Sequence, residues 1–516
     1  MVRQLTVTAL MIGVLATMTS IGLWYSRGKI SSVEDLITAR NTMGYHRTTA
    51  TLIASVMGVW ILLSPAEAGA AFGGIAAVAG YAVGEALPML AFAWIGPRIR
   101  LLIPDGHSLT EYALVRYGPV MYGYVLVVTL SYMFIFLAAE LTGITSALQL
   151  IAGIPRWQTA VLVGGFVLLY TVYGGLRASI LTDTIQAAVI VPLLGLTAIG
   201  SLIVLGGPTA VHREIVSTDP SLLDPTFITG LRFGFWIAIA ILGAELLNQT
   251  WWQRVYAATD RATLRRSFLT AAIANALIVF VAGLFGILAR GHVEIVTDST
   301  SGAYNASIAL FVLLREAFPA WIVIAMGLLA LLLVMSSADS LFNAMASTIT
   351  ADLPRLLTDP QDAVLQWTAR AVTAIAAIAA IVVSLEARSV LRLFLLADLL
   401  GAATMVPLFV GLYSRRATGP GVVLASLAGL AVGLIYFPNP IVRSALSGVP
   451  LSRPDPAQSL VSRSVRRAPA GFRQPSPQSQ FGRHRSQFSY DRLTTEITRL
   501  DRRPAKESEN ERRPRE

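Results

Sequence analysis

Residues 320–352 read AWIVIAMGLLALLLVMSSADSLFNAMASTITAD, with two adjacent hydroxyls directly behind an unbroken apolar run. The run and its continuation are long enough to cross a bilayer, because a spanning helix needs about 20 residues. The Ser336–Ser337 pair then lies at membrane depth, where polar groups need partners. Two interpretations follow: the serines permit close helix packing, or they bind an ion.

The composition of the whole chain indicates a polytopic membrane protein. Of 516 residues, 54% are hydrophobic and 14% charged, and the mean hydropathy is +0.63. Strict polar–apolar alternation is absent, so the pattern predicts an all-α protein rather than a β-barrel. We count about twelve membrane-spanning segments, at residues 5–25, 49–73, 74–97, 119–148, 158–177, 180–205, 226–250, 267–290, 319–347, 367–385, 390–413 and 420–437.

The basic residues predict the orientation of these segments. Lys and Arg concentrate in alternate loops, such as the one that carries Arg261, Arg265 and Arg266, and such loops face the cytoplasm. The N-terminus is therefore expected outside, in a multi-pass protein of the plasma (inner) membrane. The net charge of +10 reflects this arrangement and an Arg-rich C-terminal region, so no nucleic-acid partner is predicted. The chain has no cysteine and hence no disulfide or thiolate metal site.

The segments group into four regions. Residues 1–48 hold a first span and a cytoplasmic loop, 49–413 a ten-helix transport core, 414–437 one additional helix, and 438–516 a polar, Arg-rich tail of disordered composition. The core divides into two halves of five helices. Because five is odd, the halves would be inverted relative to each other, which predicts a five-plus-five inverted repeat.

Several polar features interrupt these segments. Ser64–Pro65 falls within segment 49–73, where a proline either breaks the helix and frees carbonyls for a cation or forms a kink. Asp183 follows a turn predicted at Gly174–Gly175, and it either caps the next helix or lines an ion pathway. Acids expected to face the bundle interior are Glu67, Glu140, Glu245 and Asp398.

These constellations favour a transporter over other classes. No catalytic triad pattern, HExxH motif or phosphate-binding glycine loop is present, so neither an enzyme nor an organic cofactor is predicted. Repeated pore-lining segments typical of a channel are also absent from the sequence. Single acids dispersed over several helices, together with a broken helix, are typical of a midplane transport site.

Four stretches resemble the sodium:solute symporters, a family that includes bacterial proline, pantothenate and sugar transporters and the urea transporters. They are SLTEYALVRYG (108–118), YTVYGGLRASILTDTIQ (170–186), WWQRVYAATD (251–260) and MSSADSLFNAMASTITADL (335–353). The resemblance covers roughly residues 1–437. It implies a leucine-transporter-type core, surrounded by membrane lipid. This core would import a small organic solute together with sodium by alternating access.

The resemblance also implies site residues. Sodium would be held by the hydroxyls of Ser336 and Ser337 and by the backbone carbonyls of Leu333, Ala54 and Met57. Asp183 matches a family aspartate associated with the inner ion route. Candidate residues of the substrate pocket, chosen because their helices line it in the family, are Trp60, Phe136, Glu245 and Asn248.

The chain departs from the proline-type members of the family. Val56 and Gln249 stand where those transporters usually carry an acid and a proline, so a proline substrate is not expected. Two alternatives to sodium symport stay open. One is proton coupling through Glu67, Glu140 or Glu245, and the other is a transporter-like sensor that signals through the tail. The oligomeric state is not predicted.

Overall fold

The computed structural model describes residues 4–26, 40–104, 106–298, 303–356, 362–414 and 416–436. Within these ranges the chain forms sixteen α-helices and no β-strand. The helices are α1 (Gln4–Ser26), α2 (Tyr45–Val56), α3 (Ser64–Ala71), α4 (Gly74–Leu102), α5 (Leu109–Tyr117), α6 (Pro119–Ala152), α7 (Arg156–Val204), α8 (Pro208–Thr218), α9 (Ile228–Glu245), α10 (Gln249–Ala257), α11 (Arg261–His292), α12 (Ala309–Ala317), α13 (Ala320–Leu356), α14 (Asp362–Glu386), α15 (Val390–Phe409) and α16 (Gly419–Tyr436).

The helices confirm a polytopic all-α protein. Among the described residues, eight are long and apolar enough to cross a membrane, or nine if the bent pair of α2 and residues 59–71 counts as one span. The predicted count of twelve is not reached by this criterion. The other predicted segments correspond to the shorter apolar stretches Arg156–Leu169 and Gly419–Ile435 and to α14.

Residues 156–204 form one uninterrupted helix, so the predicted turn at Gly174–Gly175 is wrong. Glycine costs a helix interior about 1 kcal/mol relative to alanine but still adopts helical dihedrals, and the only proline inside α7 is Pro192. A 49-residue helix, at about 1.5 Å per residue, is more than twice as long as a bilayer's hydrocarbon core. It therefore contains both predicted segments. Asp183 lies in its interior and is not a helix cap.

The second predicted segment is broken, but at Met57–Gly58 instead of Ser64–Pro65. Helix α2 ends at Val56, a 3₁₀ turn covers Val59–Leu62, and the helical axis bends by 57° across the break. Pro65 lies in the first turn of α3, where the missing N–H has no helical partner to lose. The proline therefore starts the second half-helix. Gly58 leaves room at the break for two side chains, because a Cβ there would overlap both Glu140 Oε1 and Trp60 Cδ1.

A second broken helix heads the other half of the core. Helix α9 ends at Glu245, and α10 begins at Gln249 after Asn248, whose side chain accepts a hydrogen bond from Thr250 N. The sequence predicted one continuous segment at 226–250. Two broken helices, one per half, suit the inverted arrangement of transporter halves.

Helix α10 is buried instead of lying in the membrane interface. Trp251, Trp252 and Arg254 are each at most 2% exposed, although the sequence resembles an interfacial aromatic belt. Trp252 Nε1 donates to Leu246 O at 2.9 Å, and its ring packs edge-on against Phe92. The tryptophans are therefore core residues, and the arginine is held within the protein.

Small residues bring α4, α9 and α15 into backbone contact. A Cβ built on Gly80 of α4 would overlap Gly234 Cα of α9, and one built on Gly401 of α15 would overlap Ala244 Cα of α9. Such close approach is typical of small residues at helix interfaces in membranes. Residues that precede or follow these contacts on the three helices are consequently near one another.

Backbone hydrogen bonds join residues 41–43 to the end of α10. Asn41 N donates to Tyr256 O at 3.2 Å, Met43 N to Ala257 O at 3.0 Å, and Thr259 N to Met43 O at 3.0 Å. Met43 and Ala258 thus pair as in a parallel sheet. We call this contact the 43–258 bridge.

The chain divides into a unit of residues 1–427 and a unit of residues 428–516. The first holds α1 to α15 and the beginning of α16. Of the second, the structure describes residues 428–436, which are helical. The proposed tail 438–516 and most of the first loop, residues 31–39, lie outside the described residues.

Candidate functional site

Ser336 joins three helices at the centre of the bundle. Its hydroxyl lies 2.6 Å from Asp183 Oδ1 of α7 and 3.2 Å from Ala54 O in the last turn of α2. Ala54 O also accepts Met57 N at 3.0 Å. The carbonyl of Ala54 and the hydroxyl of Ser336, predicted as ligands of one ion, are therefore adjacent.

Ser337 faces the helix break from the other side. Its hydroxyl donates to Leu333 O at 3.2 Å and to Val334 O at 3.3 Å within α13. The Glu140 carboxylate of α6 also lies beside this hydroxyl. Glu140 Oε2 accepts Val59 N at 2.9 Å, whereas Oε1 has no regular hydrogen bond. The carboxylate is thus placed at the positive end of the 3₁₀ turn that follows the break.

The donors at this place suit an alkali cation. Met57, with φ −74° and ψ 80°, leaves helical geometry, so the carbonyls at the end of α2 lack their usual intrahelical partners. Ala54 O, Leu333 O and the two serine hydroxyls are all oxygen donors, which hard cations prefer. The structure brings together the Ser336–Ala54 pair and the Ser337–Leu333 pair. The assignment of the Met57 carbonyl stays a prediction.

A buried ion pair lies directly beside Ser336. Arg254 Nη2 is 3.4 Å from Asp183 Oδ2, and both side chains are fully buried. The same nitrogen lies 2.8 Å from Ser55 Oγ and 3.1 Å from Ser340 Oγ. The pair therefore links α2, α7, α10 and α13. Sequence reasoning identified Asp183 but missed its partner, because 71 residues separate them.

Glu245, the last residue of α9, is held by three donors. Tyr132 OH donates to Oε1 at 2.5 Å, Asn248 Nδ2 to Oε2 at 3.1 Å, and Trp251 Nε1 also to Oε2. Two predicted substrate residues, Glu245 and Asn248, are thus in direct contact. Asn248 additionally caps α10, which fixes its amide.

The other two predicted substrate residues belong to a chain of aromatic rings. Trp60 lies between Tyr81, at 6.1 Å between ring centroids, and Phe394, at 5.6 Å. Phe394 packs on Phe136 at 4.7 Å, which in turn contacts Tyr132 at 6.0 Å. Because Tyr132 bonds Glu245, all four predicted substrate residues lie along one contact path. We call these five rings and Glu245 the aromatic wall.

Two acids near the aromatic wall were not predicted as site residues. Glu85 follows Tyr81 by one turn of α4, and Asp398 follows Phe394 by one turn of α15. They are 6% and 4% exposed, and both interact electrostatically with Glu245. Sequence reasoning marked Asp398 as a buried acid but could not place it beside Glu245, which lies on a distant part of the chain.

Glu67 forms a separate polar contact. Tyr304 OH donates to its Oε1, and Ser389 Oγ lies 3.1 Å from the same oxygen. This contact ties α3 to the segment before α12 and to the start of α15. Its donors give the carboxylate a structural role in the described arrangement.

Comparison with known proteins identifies the family of this chain. A family model described as sodium:solute symporter family matches residues 36–429. A spermidine transporter of Candida albicans is 27% identical over 84% of this chain and 80% of its own. A sodium/pantothenate symporter of Haemophilus influenzae is 29% identical over 41% of this chain and 45% of its own. A urea active transporter of Saccharomyces cerevisiae is 25% identical over 45% of this chain and 34% of its own.

Solved structures support the fold. A sodium-coupled sialic acid symporter in a substrate-bound, outward-open state superimposes with a TM-score of 0.63 and 18% identity, over 84% of this chain and 97% of its own. A nucleobase-cation symporter in a closed conformation gives a TM-score of 0.50 and 13% identity, over 82% of this chain and 97% of its own. Both are leucine-transporter-type folds, as the inverted repeat predicts. The chain belongs to the sodium:solute symporter family and is a multi-pass, sodium-coupled solute transporter rather than an enzyme.

Proposed function

We propose that the protein imports a small organic solute together with sodium across the plasma membrane by alternating access, with the N-terminus outside. The proposal rests on the hydrogen bond from the Ser336 hydroxyl to Ala54 O, at the end of a broken helix. A break of this kind takes backbone oxygens out of the regular helical hydrogen-bond pattern, at the level where transporters bind their ions. The alternate basic loops support the orientation.

The proposed sodium ligands are the Ser336 and Ser337 hydroxyls and the carbonyls of Ala54, Met57 and Leu333. Asp183 stands beside them: Ser336 connects one oxygen of its carboxylate to Ala54 O, and the other oxygen pairs with Arg254. A sodium ion at this place would connect α2 to α13. Binding would therefore favour the conformation in which these helices are close.

The proposed solute pocket is the aromatic wall with Asn248. The relatives are named for chemically different solutes, spermidine, urea and pantothenate among them. Their names do not select one solute for this chain. The side chains of the pocket are the better guide to the solute class.

The test is sodium-dependent uptake in proteoliposomes. Ser337→Ala should raise the sodium concentration for half-maximal uptake by about tenfold or more, since one ligand is lost. Ser347→Ala, another buried serine of α13, is the matched control and should leave it unchanged. Uptake that is unaffected when potassium replaces the sodium gradient would contradict the proposal.

Proton coupling is a second candidate, and Glu140 is the observation that favours it. Its carboxylate stands at the helix break beside Ser337, with one oxygen lacking a regular hydrogen bond. Uptake driven by a pH gradient without sodium, and abolished by Glu140→Gln, would support this candidate. Glu67 and Glu245 are less suited to it because several donors hold each of them.

A further inference from the structure

Three buried carboxylates converge on the aromatic wall from three different helices. Glu85 lies on α4, Glu245 at the end of α9, and Asp398 on α15. Backbone contacts at Gly84 with Ala238 and at Gly401 with Ala244 hold these helices together next to the acids. The convergence is thus a property of the packing and does not depend on flexible side-chain positions.

The three acids differ in their hydrogen-bond partners. Glu245 accepts three hydrogen bonds. Within the described part of the chain, neither Glu85 nor Asp398 has a hydrogen-bond donor or an ion-pair partner, although both are at least nine-tenths buried. Burial of an unpaired carboxylate is costly, so a protein retains two of them in the membrane chiefly for a function.

The negative charges of the three carboxylates favour binding of a cation, which the protein itself does not provide. Glu245 is also the C-terminal residue of α9, where the helix dipole adds further negative potential. No Lys or Arg forms an ion pair with any of the three acids among the residues that the structure covers. A positively charged ligand would relieve both the mutual repulsion and the desolvation of the carboxylates.

The spacing of the acids argues against a metal ion as this ligand. In the described ranges, no three acidic or histidine side chains lie close enough to hold one metal. The acids nevertheless lie close enough to interact electrostatically. Separated carboxylates match a ligand whose positive charges are themselves separated.

The rings between the acids supply the second half of the recognition. Trp60 contacts both Tyr81 and Phe394, and Tyr81 and Phe394 stand one turn from Glu85 and Asp398. Aromatic faces attract ammonium groups and also cover the methylene chain between them. A neutral or acidic solute would leave the carboxylates uncompensated.

We infer that the transported solute is an aliphatic di- or polyamine, whose ammonium groups pair with Glu85, Glu245 and Asp398 while its methylenes lie on the aromatic wall. The inference rests on the proposed solute-transport function and names the substrate class of the same pocket. It makes Glu85 and Asp398 binding residues for which the protein otherwise has no use.

The experiment compares three ligands of equal carbon length on the purified full chain in sodium buffer. Putrescine carries two ammonium groups, butylamine one, and butanediol none. Ligands that bind the folded state raise its melting temperature. We expect the largest shift with putrescine, a smaller one with butylamine and none with butanediol. Equal shifts for the three, or none for putrescine, would overturn the inference.

Two variants locate the effect. Glu85→Gln and Asp398→Asn should each weaken putrescine binding by about tenfold or more, since each removes one charge pair. In the absence of ligand both variants should melt at the same or a higher temperature, because an unpaired buried charge is gone. Glu214→Gln, at an exposed acid of α8, is the control and should bind putrescine like wild type. Unchanged putrescine affinity in both variants would overturn the inference.

The same samples separate this inference from the sodium proposal. Sodium should raise the melting temperature of Glu85→Gln as it does that of the wild type, because the proposed sodium ligands are untouched. If sodium stabilises the protein and putrescine does not, the substrate class is wrong and sodium coupling stands. If putrescine binds and uptake ignores sodium, the coupling ion is wrong and the substrate class stands.

Discussion

The hydroxyl of Ser336 donates to Asp183 Oδ1 across 2.6 Å and so joins helices α13 and α7 at the proposed sodium site. If this contact organises the site, Ser336→Ala and Asp183→Asn should not act independently on the apparent sodium affinity. We expect the double variant to lose less affinity than the sum of the two single losses, because contacting residues couple. The measurement is the sodium dependence of uptake. The pair Ser347→Ala and Asp183→Asn is the control cycle and should be additive.

A second prediction concerns the ion pair of Arg254 with Asp183. Asp183→Leu alone leaves the guanidinium buried without its counter-charge and should destabilise the protein by about 3–5 kcal/mol. Arg254→Met combined with Asp183→Leu should restore much of the loss, since both charges are then absent. Thermal unfolding in detergent measures both. If the double variant is as unstable as Asp183→Leu, the ion pair with Arg254 is not the interaction through which Asp183 stabilises the protein.

The third prediction concerns the helix break. Gly58→Ala should abolish uptake, because the added Cβ overlaps Glu140 Oε1. Gly58→Ala combined with Glu140→Ala should fold and reach the membrane better than Gly58→Ala alone, because the overlap with Glu140 is removed and only the one with Trp60 Cδ1 remains. Gly123→Ala on α6, where the Cβ meets no atom within 4 Å, is the control. It should be neutral or stabilising, since alanine favours a helix by about 1 kcal/mol. Expression level and uptake are the measurements.

A fourth prediction follows from the start of α11. Thr263 N donates to Asp260 Oδ1 at 2.8 Å, and this hydrogen bond holds the pKa of the Asp260 carboxyl below its usual value. The lowered pKa means that the stabilisation is complete above the unfolded-state pKa and is lost as the pH falls through the folded-state value. Asp260→Ala should therefore cost about 1 kcal/mol at neutral pH and less in acid. Asp260→Asn keeps the cap and should lose the pH dependence. Melting curves between neutral and acidic pH provide the check.

The membrane class, most spans and the serine pair could be predicted from the sequence because each rests on local composition. The position of the helix break could not. Pro65 is a strong local signal, but a proline is tolerated in the first turn of a helix. Of the two side chains that leave no room for a Cβ at Gly58, Glu140 makes the closer contact, and it lies 82 positions away in the sequence. The partnership of Asp183 with Arg254 escaped prediction for the same reason.

The pocket shows the same limit. Trp60, Phe136, Glu245 and Asn248 were chosen from the helices that line the pocket in the family, and the structure places them on one contact path. Glu85 and Asp398 were missed as site residues because an isolated acid in an apolar segment does not reveal its neighbours. Only the close approach of α4, α9 and α15 brings them to Glu245.

The 43–258 bridge has a consequence for gating. Its three hydrogen bonds run between main-chain atoms, so no substitution other than proline removes a donor. Any movement of residues 41–43 during transport must therefore break these bonds or carry the end of α10 along as one piece. The second route costs no hydrogen bonds, and it would make the mobile part of the transporter a composite of two stretches that lie more than 200 residues apart in the chain.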